Sequence, residues 1–192
     1  MVHAVSMGEV VAAIPLIEAL LRDYPALPLT VTCTTPTGSA RIRQHFAAHI
    51  QTCRVYHCYL PFDYPLLMRR WLTWLQPQLL LILETELWPN LLANSKALAI
   101  PTLVVNARLS ARSAKGYRRF SALTKPMLQQ ISQILTQDNA SARRFRALGA
   151  NNVAVAGNIK FELDIPVGSR QLAQALQPVV DGRVVWVAGS TH

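Results

Sequence analysis

Only ten Asp and Glu occur among the 192 residues, and three of them fall where an α/β protein does its chemistry. Glu9 follows the apolar opening of the chain through Ser6-Met7-Gly8, and Glu84 and Glu86 follow the run Leu79-Leu80-Leu81-Ile82-Leu83. A carboxylate at the start of a helix is stabilised by the helix dipole, and one held beside a substrate hydroxyl can take its proton. Both readings fit Glu9, with Gly8 allowing the backbone to turn tightly before it. Glu84 and Glu86 read equally as first-turn helix charges or as groups facing a ligand. The turn Thr34-Thr35-Pro36-Thr37-Gly38-Ser39 enters a helix, so Thr35, Thr37 and Gly38 either present free N–H groups to an anion or serve as a simple cap.

The charge balance adds a partner class. Nineteen Lys and Arg against ten acids leave a net charge of +9, and the whole stretch from Leu87 to Gln137 lacks an acid while carrying Lys96, Arg108, Arg112, Lys115, Arg118, Arg119 and Lys125. Such a stretch is a phosphate-binding loop, a membrane-facing patch, a nucleic-acid surface or a solvated basic face. Nucleic acid is the weakest of these, because only Tyr117 and Phe120 offer stacking aromatics and no RNA or DNA motif is present.

Other chemistries lose ground. There is no Gly-x-Gly-x-x-Gly, no Walker lysine loop and no Gly-x-Ser-x-Gly elbow. Cys33, Cys53 and Cys58 follow no metal-ligand spacing, even with His57 beside them, and read as buried free thiols. His3 and His192 have no acid–base partner nearby in sequence. A composition of 51% hydrophobic and 15% charged residues excludes a disordered chain. The longest apolar run, 71–83, is broken by Gln76-Pro77-Gln78, and the first residues lack a basic leader, so a cytoplasmic chain that does not span a bilayer is expected.

The elements that must position these groups alternate. Strands are expected at 2–5, 29–34, 55–60, 79–83, 102–105, 134–136, 153–156 and 184–188, and helices at 10–21, 39–48, 66–75, 87–99, 123–131, 138–148 and 170–176. Runs as apolar as 79–83 do not alternate, which implies a parallel sheet with helices on both faces. The fold class is therefore α/β, Rossmann-like, with ligands meeting the carboxyl ends of the strands. Pro166, Gly168 and Ser169 mark a break, dividing the chain into a domain at 1–165 and a linker with the opening of another domain at 166–192.

Taken in order, His3-Ala4-Val5-Ser6-Met7-Gly8-Glu9, Thr35-Pro36-Thr37-Gly38-Ser39, Tyr59-Leu60-Pro61-Phe62-Asp63, Glu84-Thr85-Glu86-Leu87-Trp88-Pro89-Asn90, Asn106-Ala107-Arg108-Leu109-Ser110, Gly157-Asn158-Ile159-Lys160-Phe161 and Ala188-Gly189-Ser190-Thr191-His192 resemble the 3-deoxy-D-manno-octulosonic acid (Kdo) transferases. That resemblance implies the N-terminal half of a GT-B glycosyltransferase, which moves Kdo from CMP-Kdo to a phosphorylated lipid A precursor (lipid IVA) without a metal or other cofactor. It implies Glu9 as general base and Glu84 and Lys160 as supports of the transition state. Gly8, Thr35, Thr37, Gly38, Glu86, Arg108, Lys115, Arg118, Asn158, Ser190, Thr191 and His192 are implied in substrate binding. The implied location is the cytoplasmic face of the bacterial inner membrane, against an anionic membrane surface, with no nucleic-acid partner. Met7 stands where the family usually has a small aliphatic residue and Glu162 where Asp is frequent. The family's membrane-associated N-terminal stretch and most of its nucleotide-binding domain are not found, so a truncated chain is expected. A non-catalytic domain binding anionic lipid is the alternative.

Overall fold

The computed structural model describes residues 1–162 and 167–186. Among them the strands are β1 (Val2–His3), β2 (Leu29–Cys33), β3 (Val55–Tyr59), β4 (Leu80–Leu83), β5 (Thr102–Ala107), β6 (Gln133–Thr136) and β7 (Val153–Val155). Between them run helices α1 (Met7–Asp23), α2 (Pro36–His45), α3 (Ala47–Gln51), α4 (Pro65–Leu75), α5 (Pro89–Ala97), α6 (Ala111–Arg119), α7 (Ser121–Gln129) and α8 (Asn139–Ala147). A 3₁₀ turn covers Ile159–Glu162, and α9 (Val167–Val180) follows. The chain divides into two compact units, Met1–Phe161 and a second from Glu162 onward.

All pairings are parallel, in the order β3-β2-β1-β4-β5-β6-β7. β4 shows why its sequence does not alternate: Leu80 and Ile82 enter one apolar core, Leu81 and Leu83 the other. The first core packs α4, α5, α7 and α8 through residues such as Met68, Leu91, Met127 and Phe145; the second packs α1 and α2 through Val10, Ile14, Ile17 and Ile42. Helices switch face because right-handed crossovers leave β1 toward β2 and β4 toward β5 in opposite directions. The crevice created at that reversal, at the carboxyl ends of β1 and β4, is where open α/β sheets bind ligands.

Several expectations need correction. β1 stops at His3, and Gly8, expected in a tight turn, is helical in the first turn of α1, where an added Cβ would meet only Ser6 Oγ, at 3.9 Å. The basic stretch, read as a possible loop, contains α6, capped by Ser110. Its small and polar residues hid a helix that buries only Ala114 and Tyr117 against the core. The helix expected at 39–48 starts earlier, on Pro36, and breaks into α2 and α3 at Phe46. Gly168 and Ser169, expected in a break, lie in α9, which also runs through Pro178. Residues 184–186 of the expected last strand are not in a strand, and 187–188 lie outside the described residues, as do Pro166, Ser190, Thr191 and His192. Of the three free thiols Cys33 is buried, Cys58 half-buried and Cys53 exposed.

Candidate active site at the strand switch point

The junction from β1 into α1 is built around Glu9. Ser6 is the N-cap of α1 and accepts the Glu9 N–H at 3.3 Å, the arrangement Ser-x-x-Glu favours. The carboxylate turns back on the cap: Oε2 accepts the Val5 N–H at 2.7 Å and Oε1 accepts the Ser6 hydroxyl at 3.1 Å. Glu9 is left 8% exposed. Burial raises its pKa above the usual carboxylate value; the bonds from Val5 and Ser6 oppose the shift and the charge of Glu84 adds to it.

On the other side of Val5, its carbonyl accepts the Thr35 hydroxyl at 3.2 Å, while Thr35 Oγ1 accepts the Gly38 N–H at 3.2 Å as the N-cap of α2. Thr35 thus fixes the β1 end rather than leaving its hydroxyl free. Gly38 is a packing position, since a Cβ there would come within 2.9 Å of Thr35 Oγ1 and 3.5 Å of Val10 Cγ2. Thr37 is exposed.

Across the switch point, Glu84 directly follows β4 with φ 55° and Asn106 lies near the end of β5 with φ 56°. Asn tolerates this left-handed conformation; Glu does so at a cost of roughly 1–3 kcal/mol, and such outliers concentrate at functional sites. Lys160 reaches Glu84 Oε1 with Nζ at 3.1 Å. Its turn is assembled by Gly157 at φ 90°, by Asn158 Oδ1 accepting the Lys160 N–H at 3.0 Å, and by Asn106 Oδ1 accepting the Ile159 N–H at 3.2 Å. Glu86 is half-buried, and its pKa is raised by burial first and then by the charges of Glu9 and Glu84. Burial and the charge of Glu86 also raise the pKa of Tyr117, which places α6 beside the acids.

Among the predicted site residues the fold thus gathers Glu9, Glu84, Glu86, Lys160 and Asn158. Arg108 joins them through its backbone, because the Thr85 hydroxyl donates to its carbonyl, while its side chain is exposed. Lys115 is exposed on α6, and Arg118 lines a separate cavity with Lys125 and Arg146. Unassigned at the level of sequence was Asn106, 4% exposed, with its carbonyl bonded by Gln137 Nε2 at 3.0 Å and its Nδ2 buried without a partner among the described residues. In the sequence it stands only as the first residue of the family-like segment Asn106-Ala107-Arg108-Leu109-Ser110, with no role of its own. His3 is fully buried against Thr32, and burial lowers its pKa to about 4, so it is a neutral core residue. No group of His, Cys, Asp and Glu among the described residues is placed to hold a metal ion.

The arrangement offers a basic carboxylate, two further acids and a cation around one crevice, which suits proton removal from a hydroxyl next to negative charge. The profile of the family described as "3-Deoxy-D-manno-octulosonic-acid transferase (kdotransferase)" matches residues 1–163. A 3-deoxy-D-manno-octulosonic acid transferase of Haemophilus influenzae is 41% identical, over 100% of this chain and 44% of its own length. One from Bordetella pertussis is 36% identical with the same coverage, and a probable mitochondrial one from Arabidopsis thaliana is 30% identical over 99% of the chain and 43% of its own length. The chain spans less than half the length of these curated relatives. In fold it is similar to the UDP-GlcNAc 2-epimerase of Neisseria meningitidis, with a TM-score of 0.57 and 14% identity over 94% of this chain and 54% of that one. A putative UDP-N-acetylglucosamine 2-epimerase of Listeria monocytogenes superposes with a TM-score of 0.59 at 13% identity, over 82% and 44%. These likenesses place the sheet as the Rossmann-like half of a GT-B fold. On the match over residues 1–163 and the identity along its whole length, the chain belongs to the 3-deoxy-D-manno-octulosonic-acid transferase family.

Proposed function

We propose that the protein provides the acceptor side of a Kdo transferase, which moves Kdo from CMP-Kdo to a hydroxyl of a phosphorylated lipid A precursor such as lipid IVA. The observation that carries this reading is the buried Glu9 at the switch point, opposite the Glu84–Lys160 pair. In the proposed step Glu9 removes the proton from the acceptor glucosamine 6-hydroxyl as that oxygen bonds to the Kdo anomeric carbon. The bond from that carbon to the phosphate oxygen breaks, CMP leaves with the electron pair, and direct displacement inverts the centre. A carboxylate whose burial raises its proton affinity is a better base than an exposed one. Lys160, oriented by Glu84, faces negative charge on both the Kdo carboxylate and the departing phosphate, where a fixed cation stabilises the transition state. Thr35 and Gly38 support the reading by holding the β1 end in place, and in the proposal Glu86, Arg108 and Lys115 line the acceptor's approach.

The proposed setting is the cytoplasmic face of the inner membrane, where the chain would bind peripherally. No helix among the described residues is long and apolar enough to cross a membrane. Two surfaces support attachment instead: the exposed cations of α6, and α4, which exposes Leu66 at 70% and Trp74 at 78% beside Arg69 and Arg70. A non-catalytic lipid-binding domain would use these surfaces too, and it differs in having no need of Glu9.

The test is a transfer assay in which the chain is fused to the C-terminal portion of the Haemophilus influenzae relative and incubated with CMP-Kdo and lipid IVA. Kdo on the lipid is the expected result. A folded fusion that binds lipid IVA and transfers nothing would favour the non-catalytic reading.

A further inference from the structure

Arg118 in the last turn of α6, Lys125 on α7 and Arg146 in the last turn of α8 converge on one cavity of about 200 Å³, with Ser121 and Gly149 also in its wall. None of the three cations pairs with a carboxylate among the described residues. Nor are they there to cap α8. Its last carbonyls already have donors: Arg144 O accepts Leu148 N–H at 3.1 Å, Phe145 O accepts Ala150 N–H at 3.1 Å, and Arg146 O accepts Gly149 N–H at 3.0 Å.

The wall is shaped for these side chains. Gly149 has φ 96°, and a Cβ on it would stand 2.7 Å from Lys125 Cγ, so the glycine both closes α8 and makes room for the Lys125 stem. Arg146 is fixed by one bond, from Nη2 to Val153 O at 2.6 Å, which leaves the rest of its guanidinium to face a ligand. Three like charges gathered without a counter-charge repel one another, and an anion in the cavity relieves that cost. Two Arg forks, a Lys point charge and a hydroxyl match a phosphate's several oxygens better than they match a carboxylate's pair.

The cavity is not part of the crevice. α8 leaves β6 at the carboxyl edge of the sheet, and its last turn lies where β7 begins, at the amino edge. Nine residues of helix, ~13 Å, separate the two edges there.

We propose that this cavity is a second anion site, which binds a phosphate group as a phosphomonoester or diester, apart from the crevice that holds Glu9. The assignment stands whether or not the crevice transfers Kdo. It is tested on the purified chain by following backbone amide signals in NMR during titration with inorganic phosphate and with glycerol 3-phosphate, at constant ionic strength set with chloride. Saturable shifts at Lys125 and Gly149 are expected, weakened at least fivefold in Arg118→Gln/Lys125→Gln and unchanged in Arg112→Gln/Arg119→Gln, which loses the same charge from the helix outside the cavity. The unperturbed remainder of the spectrum reports that each variant is folded. Shifts that do not saturate, or that fall equally in both variants, overturn the proposal. Phosphatidic acid vesicles separate the two sources of phosphate: a lipid headgroup ligand predicts weaker vesicle binding by the cavity variant than by the other. A soluble phosphate predicts vesicle binding by the cavity variant no weaker than by the other, with the selective loss confined to the titration.

Discussion

Glu9 pays for its position twice, once in burial and once in the repulsion of Glu84, and the bonds from Val5 and Ser6 only partly offset this. Its folded pKa lies above the unfolded one, so its contribution to stability is present at low pH and is lost as pH rises through the folded value. Glu9→Gln keeps an acceptor for Val5 and removes the buried charge. Its melting temperature is therefore expected to exceed that of the wild type at pH 7, by a margin that shrinks toward pH 4. A variant that melts lower at pH 7, with a gap independent of pH, would show Glu9 to be a cap and nothing more. The sequence already marked this residue: a carboxylate just after the first strand and at the start of a helix stands where open α/β sheets bind ligands. It did not carry Asn106, whose importance arises from a positive φ and from a bond to Ile159, 53 positions away.

At the level of elements, the loops that frame the crevice are tied by side chains from distant segments. α5 starts at Pro89 without a side-chain cap of its own, and Asp63, after β3, supplies one: its carboxylate accepts the Asn90 N–H at 3.0 Å and the Leu91 N–H at 2.8 Å. The loop after β5 is held in the same manner by α8, with Arg144 Nη1 donating to Leu109 O at 2.7 Å and Ser141 Oγ accepting the Leu109 N–H at 3.1 Å. Asp63→Ala strands two N–H groups at a helix start and is expected to cost ~1–2 kcal/mol, read as a lower urea midpoint. A change under about 0.5 kcal/mol would mean that water replaces the cap. Most strands and the long helices were legible because an apolar run or a 3.6-residue stripe marks them whatever their surroundings. α6 was not, because Ala111–Arg119 is mostly polar and draws its burial from Ala114 and Tyr117 alone. α3 was not either, being a single extra turn-and-a-half after the chain bends at Phe46.

Over the whole molecule, the net charge of +9 is displayed on surfaces with different neighbours. The cations of α6 lie on a mostly polar helix, whereas Arg69 and Arg70 stand among exposed apolar side chains of α4, so the two should respond differently to salt. Under the proposed attachment, binding through α6 would follow surface potential and fade within a Debye length, while Leu66 and Trp74 would contribute by burial in the interface. Leu66→Ser/Trp74→Ser is expected to weaken co-sedimentation with anionic vesicles about tenfold, with the residual binding abolished by ~0.5 M salt. Equal binding by variant and wild type at every salt concentration would remove α4 from the membrane contact. All of this serves one claim, that Glu9 is the base of a transfer reaction, and the most direct measurement is the single-turnover rate of Kdo transfer by the fused protein with both substrates saturating. Glu9→Gln should lower that rate ~10²–10⁴-fold without weakening substrate binding, and the wild-type rate should fall on acidification at a pH above the ordinary carboxylate range. A loss of less than about threefold, with the acid limb unchanged, would contradict it.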